Sequence, residues 1–200
     1  MTAEGDNSVL MQKVAKELLA AYEAGKVKYT QTALTGPVTA RDLGSLAQLI
    51  RVFEVKLLNS LKAKLAGKNI FDAWMYQESD LIQATSRIHG ERICMEAFFA
   101  ALQKLEGKER QVLEKMLHVF VLDIVRRDTA VLLAYDLIDT ALVKSIPDVI
   151  NPVIKDVGKE IHALVDAFDV KPWMLQAPIA GDWKGYNQGD WRGEAAMAKL

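Results

Sequence analysis

Apolar residues recur along this chain at spacings of three and four. Over residues 43–66 the series Leu46, Leu49, Ile50, Phe53, Leu57, Leu61 and Leu65 forms one continuous stripe, the pattern of a helix with a buried face. Gly67 closes it, and Arg51, Lys56, Lys62 and Lys64 occupy the opposite edge. A first helix over 7–24 takes Asn7 or Ser8 as its cap, Val14, Leu18 and Tyr22 as its buried stripe and Gly25 as its stop. Residues 25–39, with Gly36-Pro37, form a long connection. Asp72 is expected to cap a very long third helix, running to about Glu106, with Leu81, Ile82, Ile88, Met95, Phe99, Leu102 and Leu105 inward and Gly107 at its end. Two more helices follow over 108–127 and 129–143. A last one spans 147–168, with Pro152 near its start, where a proline is tolerated or kinks the chain.

This reading is all-α, with no β-rich stretch competing: a helical bundle over residues 1–170, then an irregular Trp/Gly/Pro-rich tail over 171–200. The tail holds three of the four tryptophans, together with Pro172, Pro178, Gly181, Gly185, Gly189 and Gly193, so it cannot be helical throughout. Its rings either dock on the bundle as a strap or form a subunit contact or ligand rim.

Composition narrows the partners. With 25 bases interspersed among 26 acids and a net charge of −1, the chain has no field to hold nucleic acid or an anionic membrane. Even the greasy run from Met116 to Val125 contains His118 and Asp123, so no membrane span is expected. The first twenty residues carry polar groups where a secretory leader needs an apolar stretch. Without a leader or a disulfide framework, a secreted four-helix signalling protein is disfavoured. The single cysteine, Cys94, sits between Ile93 and Met95 and reads as an ordinary buried thiol.

The helical body by itself names no reaction. His89, His118 and His162 fall on separate helices with no ligand pair among them, so a metal site is not expected. No phosphate loop or nucleophile elbow is present.

Three stretches point further. Glu4, Gly5, Asp6 and Asn7, followed by SVLMQKVAKELL, resemble the segment that carries the catalytic base in peroxisomal acyl-CoA oxidases. LIQATSRIHGERICMEAFFAAL, with its His89-Gly90-Glu91-Arg92 group, resembles a helix of that family's C-terminal domain. ALVDAFDVKPWMLQAPIAGDW, residues 163–183, resembles the closing motif. The chain ends in Ala198, Lys199 and Leu200, a relaxed form of the Ser-Lys-Leu address read by the peroxisomal import receptor.

The resemblance implies an FAD-dependent oxidase in which Glu4 removes the proton α to a thioester carbonyl while hydride leaves the β-carbon for the flavin. Oxygen then reoxidises the flavin, giving 2,3-enoyl-CoA and hydrogen peroxide. Gly5 lets backbone and substrate approach closely, and Asp6 and Asn7 correspond to positions near the flavin. Without the resemblance, these residues are a plain helix cap. One departure is Ala3, where the family places an aromatic residue. The resemblance further implies a homodimer in the peroxisome. It covers only the C-terminal helical portion of an oxidase, so the flavin-holding β-domain is missing and the isolated chain is expected not to oxidise acyl-CoA. The alternative is a truncated, non-catalytic helical module that associates with a full-length oxidase.

Overall fold

The computed structural model describes residues 6–175, 177 and 180–185. Glu4, Gly5, Ala198, Lys199 and Leu200 therefore lie outside the described residues. Among those described, regular structure is helical, with no strand. The chain divides between Val157 and Gly158 into two compact units.

In the first unit, α1 (Asn7–Glu23) is capped by Asp6, not by Asn7 or Ser8: the Asp6 backbone is extended and its carboxylate accepts from the Ser8 amide at 2.6 Å. The buried stripe is Ala15, Leu18 and Leu19, whereas Val14 stands exposed. The inward face is thus rotated from the expected one, although Leu18 belongs to both. Helix α2 (Leu43–Leu65) matches its expected range to one residue, and twelve of its 23 residues are buried. Asp42 caps it through the Gly44 and Ser45 amides, and Gly67 follows with φ of 72°, a left-handed turn suited to glycine.

The expected long third helix is interrupted. Asn69, rather than Asp72, is the cap, accepting from the Phe71 and Asp72 amides, and Asp72 is itself already helical. A short α3 (Ile70–Asp72) runs into a π-helical turn (Ala73–Gln77) before α4 (Ser79–Leu102) begins. The Glu78 amide reaches back to the Ala73 carbonyl, taking up one extra residue. That offset brings Glu78 inward between Lys64 and Lys68, each 3.1 Å away, and the two ammonium groups hold its carboxyl below the usual range.

Helix α5 (Gly107–Arg127) is followed by a short α6 (Thr129–Ala134) and not by a helix through Val143. Asp136 turns the chain with φ of 54°, and Asp139 accepts from the Leu142 amide at 2.7 Å, opening α7 (Thr140–Gly158). Pro147 and Pro152 accordingly lie inside α7 rather than at the start of a last helix. Each removes a backbone donor, and the helix persists because Leu142, Ile146, Val149 and Ile150 bury its apolar face.

Helix α4 lies against α1, α2 and α5. The larger apolar cluster joins α2, α4, α5, α6 and α7 around Phe53, Ile88, Met95 and Leu122. A smaller one joins Ala15, Leu18 and Leu19 of α1 to Leu58, Leu61 and Leu65 of α2, Ala73 and Ile82. Cys94 is exposed, because at that point α4 turns Met95 inward and leaves Ile93 and Cys94 outside.

In the second unit, α8 (Ile161–Asp166) ends before Asp169, whose φ is 51°, and a 3₁₀ turn (Pro172–Met174) follows. Asp169 pairs with Lys171, and Asp182 accepts from the Gly185 amide at 2.9 Å. Phe168, Trp173 and Trp183 are exposed.

Phe53 is about 1% exposed and Phe168 80% exposed. Phe53→Ala should therefore lower the unfolding free energy by about 4 kcal/mol in urea titrations, whereas Phe168→Ala should change it by less than about 0.5 kcal/mol.

Candidate functional site

The most buried charge described is on α2. Glu54 shares a helical face with Ile50, Leu57, Leu58 and Leu61 and is 0% exposed. A carboxylate taken out of water costs several kcal/mol unless donors replace its hydration. Three side chains supply them. Tyr29, in the connection after α1, donates its hydroxyl to Oε1 at 2.6 Å, and His89 of α4 lies on the same oxygen through Nδ1 at 2.7 Å. Arg92, one turn further along α4, donates Nε to Oε2. An ionised carboxylate only accepts, so Nδ1 of His89 carries its proton. Burial works to raise the Glu54 pKa, but the bonds from His89, Tyr29 and Arg92 outweigh it, and the carboxyl is held below the ordinary value. Burial, followed by the bond to Glu54, pushes the Tyr29 phenol the other way, so it stays protonated. Arg92 also lies over the Tyr29 ring, 5.8 Å from its centroid.

Around this group, α2 and α4 are tied again by Arg51, which grips both oxygens of Glu96 at 2.6 and 3.2 Å. Glu91, between His89 and Arg92, turns to α5 and pairs with Arg127 at 2.7 Å. Burial raises its pKa, with Arg127 pulling the other way. Arg87 reaches Asp128 at 2.6 Å. The His89-Gly90-Glu91-Arg92 group thus clasps α2 with two side chains and α5 with a third. His118 is occupied as well: its Nε2 lies 2.7 Å from the Ala40 carbonyl, which can only accept, so Nε2 is protonated.

Of the residues predicted for chemistry, Glu4 and Gly5 lie outside the described residues. Asp6 is exposed, and the bond from the Ser8 backbone, the largest influence on it, lowers its pKa. Asn7 is exposed in the first turn of α1. Among the described residues no group of His, Cys, Asp and Glu is arranged to hold a metal ion. No described helix is long and apolar enough to cross a membrane. Glu54 and Tyr29 were not among the sequence candidates, and Arg92 was noted only as part of a family-like group. A lone acid inside the apolar stripe of RVFEVKLL was the signal available for finding them.

Comparison with known proteins gives this helical frame a lineage. The family model for acyl-CoA oxidase matches residues 42–185. This chain belongs to the acyl-CoA oxidase family. Peroxisomal acyl-coenzyme A oxidase 2 of Arabidopsis thaliana is 26% identical over 217 residues, covering 94% of this chain and 31% of that protein. Acyl-CoA oxidase 1 of Yarrowia lipolytica superposes with a TM-score of 0.76 at 19% identity, over 90% of this chain and 29% of that one. Acyl-CoA oxidase-1 of Caenorhabditis elegans, solved with FAD and ATP, gives 0.72 at 16% identity, over 90% and 30%. The solved acyl-CoA oxidases share the all-α fold of this segment, and the chain spans under a third of the length of the relatives it matches. The family match begins at the α2 cap, so residues 4–7 lie outside it.

Because the folded Glu54 pKa is depressed, its stabilisation is complete above the ordinary glutamate value of 4.5 and drains away as pH falls through the lower native value. Glu54→Gln should cost about 3 kcal/mol at neutral pH, since it strands the charge on Arg92. The difference from the parent chain in thermal unfolding should shrink as the buffer is acidified below the ordinary glutamate value of 4.5.

Proposed function

We propose that this chain forms the C-terminal helical part of an FAD-dependent acyl-CoA oxidase, converting acyl-CoA to trans-2-enoyl-CoA with reduction of oxygen to hydrogen peroxide in peroxisomal β-oxidation. The observation that carries this reading is the family match over residues 42–185. The Caenorhabditis elegans relatives solved with FAD, one of them also with an ascaroside-CoA, support the choice of cofactor and of a CoA thioester as substrate. The peroxisomal name of the Arabidopsis relative agrees with the address at Ala198, Lys199 and Leu200.

In this reading Glu4 is the base. It takes the proton from the carbon α to the thioester carbonyl, and its own backbone N–H helps polarise the thioester oxygen. The positive end of α1 follows directly, favouring negative charge that develops there. A carboxylate near its reference pKa of about 4.3 is a weak base for a C–H bond, so catalysis needs a closed, dry surrounding that raises it. Bound FAD supplies the hydride acceptor and the electron path to oxygen. The described residues fit one edge of such a group: Asp6 and Asn7 are exposed at the start of α1, with Val9, Leu10 and Val14 exposed along the same helix. The remaining walls belong to the larger part of the family fold, so the chain alone is expected to release no peroxide from acyl-CoA. Association is with a second copy or with a full-length oxidase subunit.

The test is complementation. The chain is co-expressed with the N-terminal two-thirds of a family oxidase, and flavin absorbance and acyl-CoA-dependent peroxide are measured for each part and for the pair. Both signals should appear only in the pair, and Glu4→Gln should lower peroxide release by about 10³-fold without moving the melting temperature. A pair that binds flavin but keeps full activity with Glu4→Gln overturns the assignment of the base.

A further inference from the structure

Helix α1 is held in two different ways along its length. At its middle, Ala15, Leu18 and Leu19 pack on Leu58, Leu61 and Leu65 of α2 and on Ile82 of α4. Apolar packing of this kind is strong but non-directional, so it resists separation better than it resists small slides and rolls. At its C-terminal end the contacts are directional. The Tyr22 hydroxyl donates to Asn59 at 3.1 Å, and Glu23 pairs with Lys62 at 3.6 Å. The chain then reverses at Gly25, with φ of 68°, and brings the Tyr29 ring edge-on to Tyr22 at 5.6 Å. Tyr29 is in turn fixed to the fully buried Glu54, which α4 holds through His89 and Arg92. Among the described residues, the first half of the helix shows no such hold: Val9 is 63% exposed, and Leu10 and Val14 are also exposed.

We infer that the Tyr22–Tyr29–Glu54 contact is a bearing that sets the direction of α1, making Tyr22 and Tyr29 positioning residues for whatever the first turn of that helix carries. From Tyr22 to Asn7 the helix runs about 22 Å at ~1.5 Å per residue, so a tilt of about 3° at the bearing moves the first turn through roughly 1 Å. A displacement of about 1 Å can cost a reacting group roughly a hundredfold in rate. The functional weight of this inference rests on reading Glu4 as the base, which lies just before that turn. The mechanical part does not.

The experiment therefore needs neither flavin nor substrate. Cys94 is exposed on α4, and Val9→Cys adds a second thiol on α1, so nitroxide labels on the pair report the distance from the α1 tip to α4 by double electron–electron resonance in the full chain. Tyr29→Phe should broaden that distribution or shift its centre by about 2 Å, the lever's response to a tilt of about 5°. Tyr22→Ala, which removes the ring that Tyr29 meets edge-on, should do the same, and serves if Tyr29→Phe does not fold. Leu132→Ala, a core truncation in α6 remote from α1, should lower the melting temperature yet leave the distribution unchanged. The inference is overturned if the tyrosine variants superimpose on the parent, or if Leu132→Ala broadens the distribution as much as they do. Failure of the complementation test would leave these distances untouched, so the two readings can fail separately.

Discussion

The rest of the first unit is arranged around one constraint, the carboxylate of Glu54 in a place water does not reach. Helix α2 is buried over more than half its residues, so an acid on that helix can be satisfied only by side chains from its neighbours. Each neighbour is thereby committed to a register. A one-residue slip of α4 would swing His89 and Arg92 by about 100° around the helix and strand both the acid and the arginine. Leucine packing tolerates such slips far better, because a shifted apolar side chain usually finds another apolar neighbour. Glu54 thus costs desolvation energy and in exchange fixes which way α4 and the connection after α1 must face.

Much of the fold was legible because apolar spacing is the strongest signal a sequence carries. Helix α2 stands where Leu46 through Leu65 placed it, and α1 and α5 were located to within a few residues. The errors share a cause. From Thr129 to Val143 apolar residues recur closely enough to suggest one helix, while the chain turns on the left-handed residue Asp136, a conformation aspartate adopts without announcing it. Likewise Asn69 and Asp72 are both competent caps, and the choice between them rests on a π turn that no periodicity encodes. Cys94 fell on the wrong face because its hydrophobic neighbours in sequence, Ile93 and Met95, each stand about 100° from it on a helix, on opposite sides, and need not share its environment.

Site legibility followed a different rule. Residues 4–7 were singled out by resemblance, and no spacing argument would have separated them from an ordinary cap. Asp6 caps α1 through the Ser8 amide. The Glu54 group was legible in principle and missed in practice. An acid with Ile50 four residues before it and Leu57 and Leu58 three and four after it cannot face water if those side chains are buried, and its partners had to be donors somewhere in the chain. Which donors they were could not be read, because Tyr29 and Arg92 are 25 and 38 residues away and meet Glu54 only in the fold.

The low identity to solved oxidases, 16–19% at TM-scores of 0.72–0.76, fits this division of labour. A bundle held by apolar stripes keeps its shape through many exchanges among leucine, isoleucine and methionine, each costing less than about 1.5 kcal/mol when volume is preserved. A buried carboxylate with three donors admits no such drift, since losing one partner leaves charge unpaired at a cost of about 3–5 kcal/mol. Its members must change together or not at all. For a fold so tolerant elsewhere, the direction of α1 is therefore better secured by a few polar contacts of fixed geometry than by its apolar face. Those contacts cluster at the C-terminal end of α1, the end away from the turn where the family's chemistry is proposed to begin.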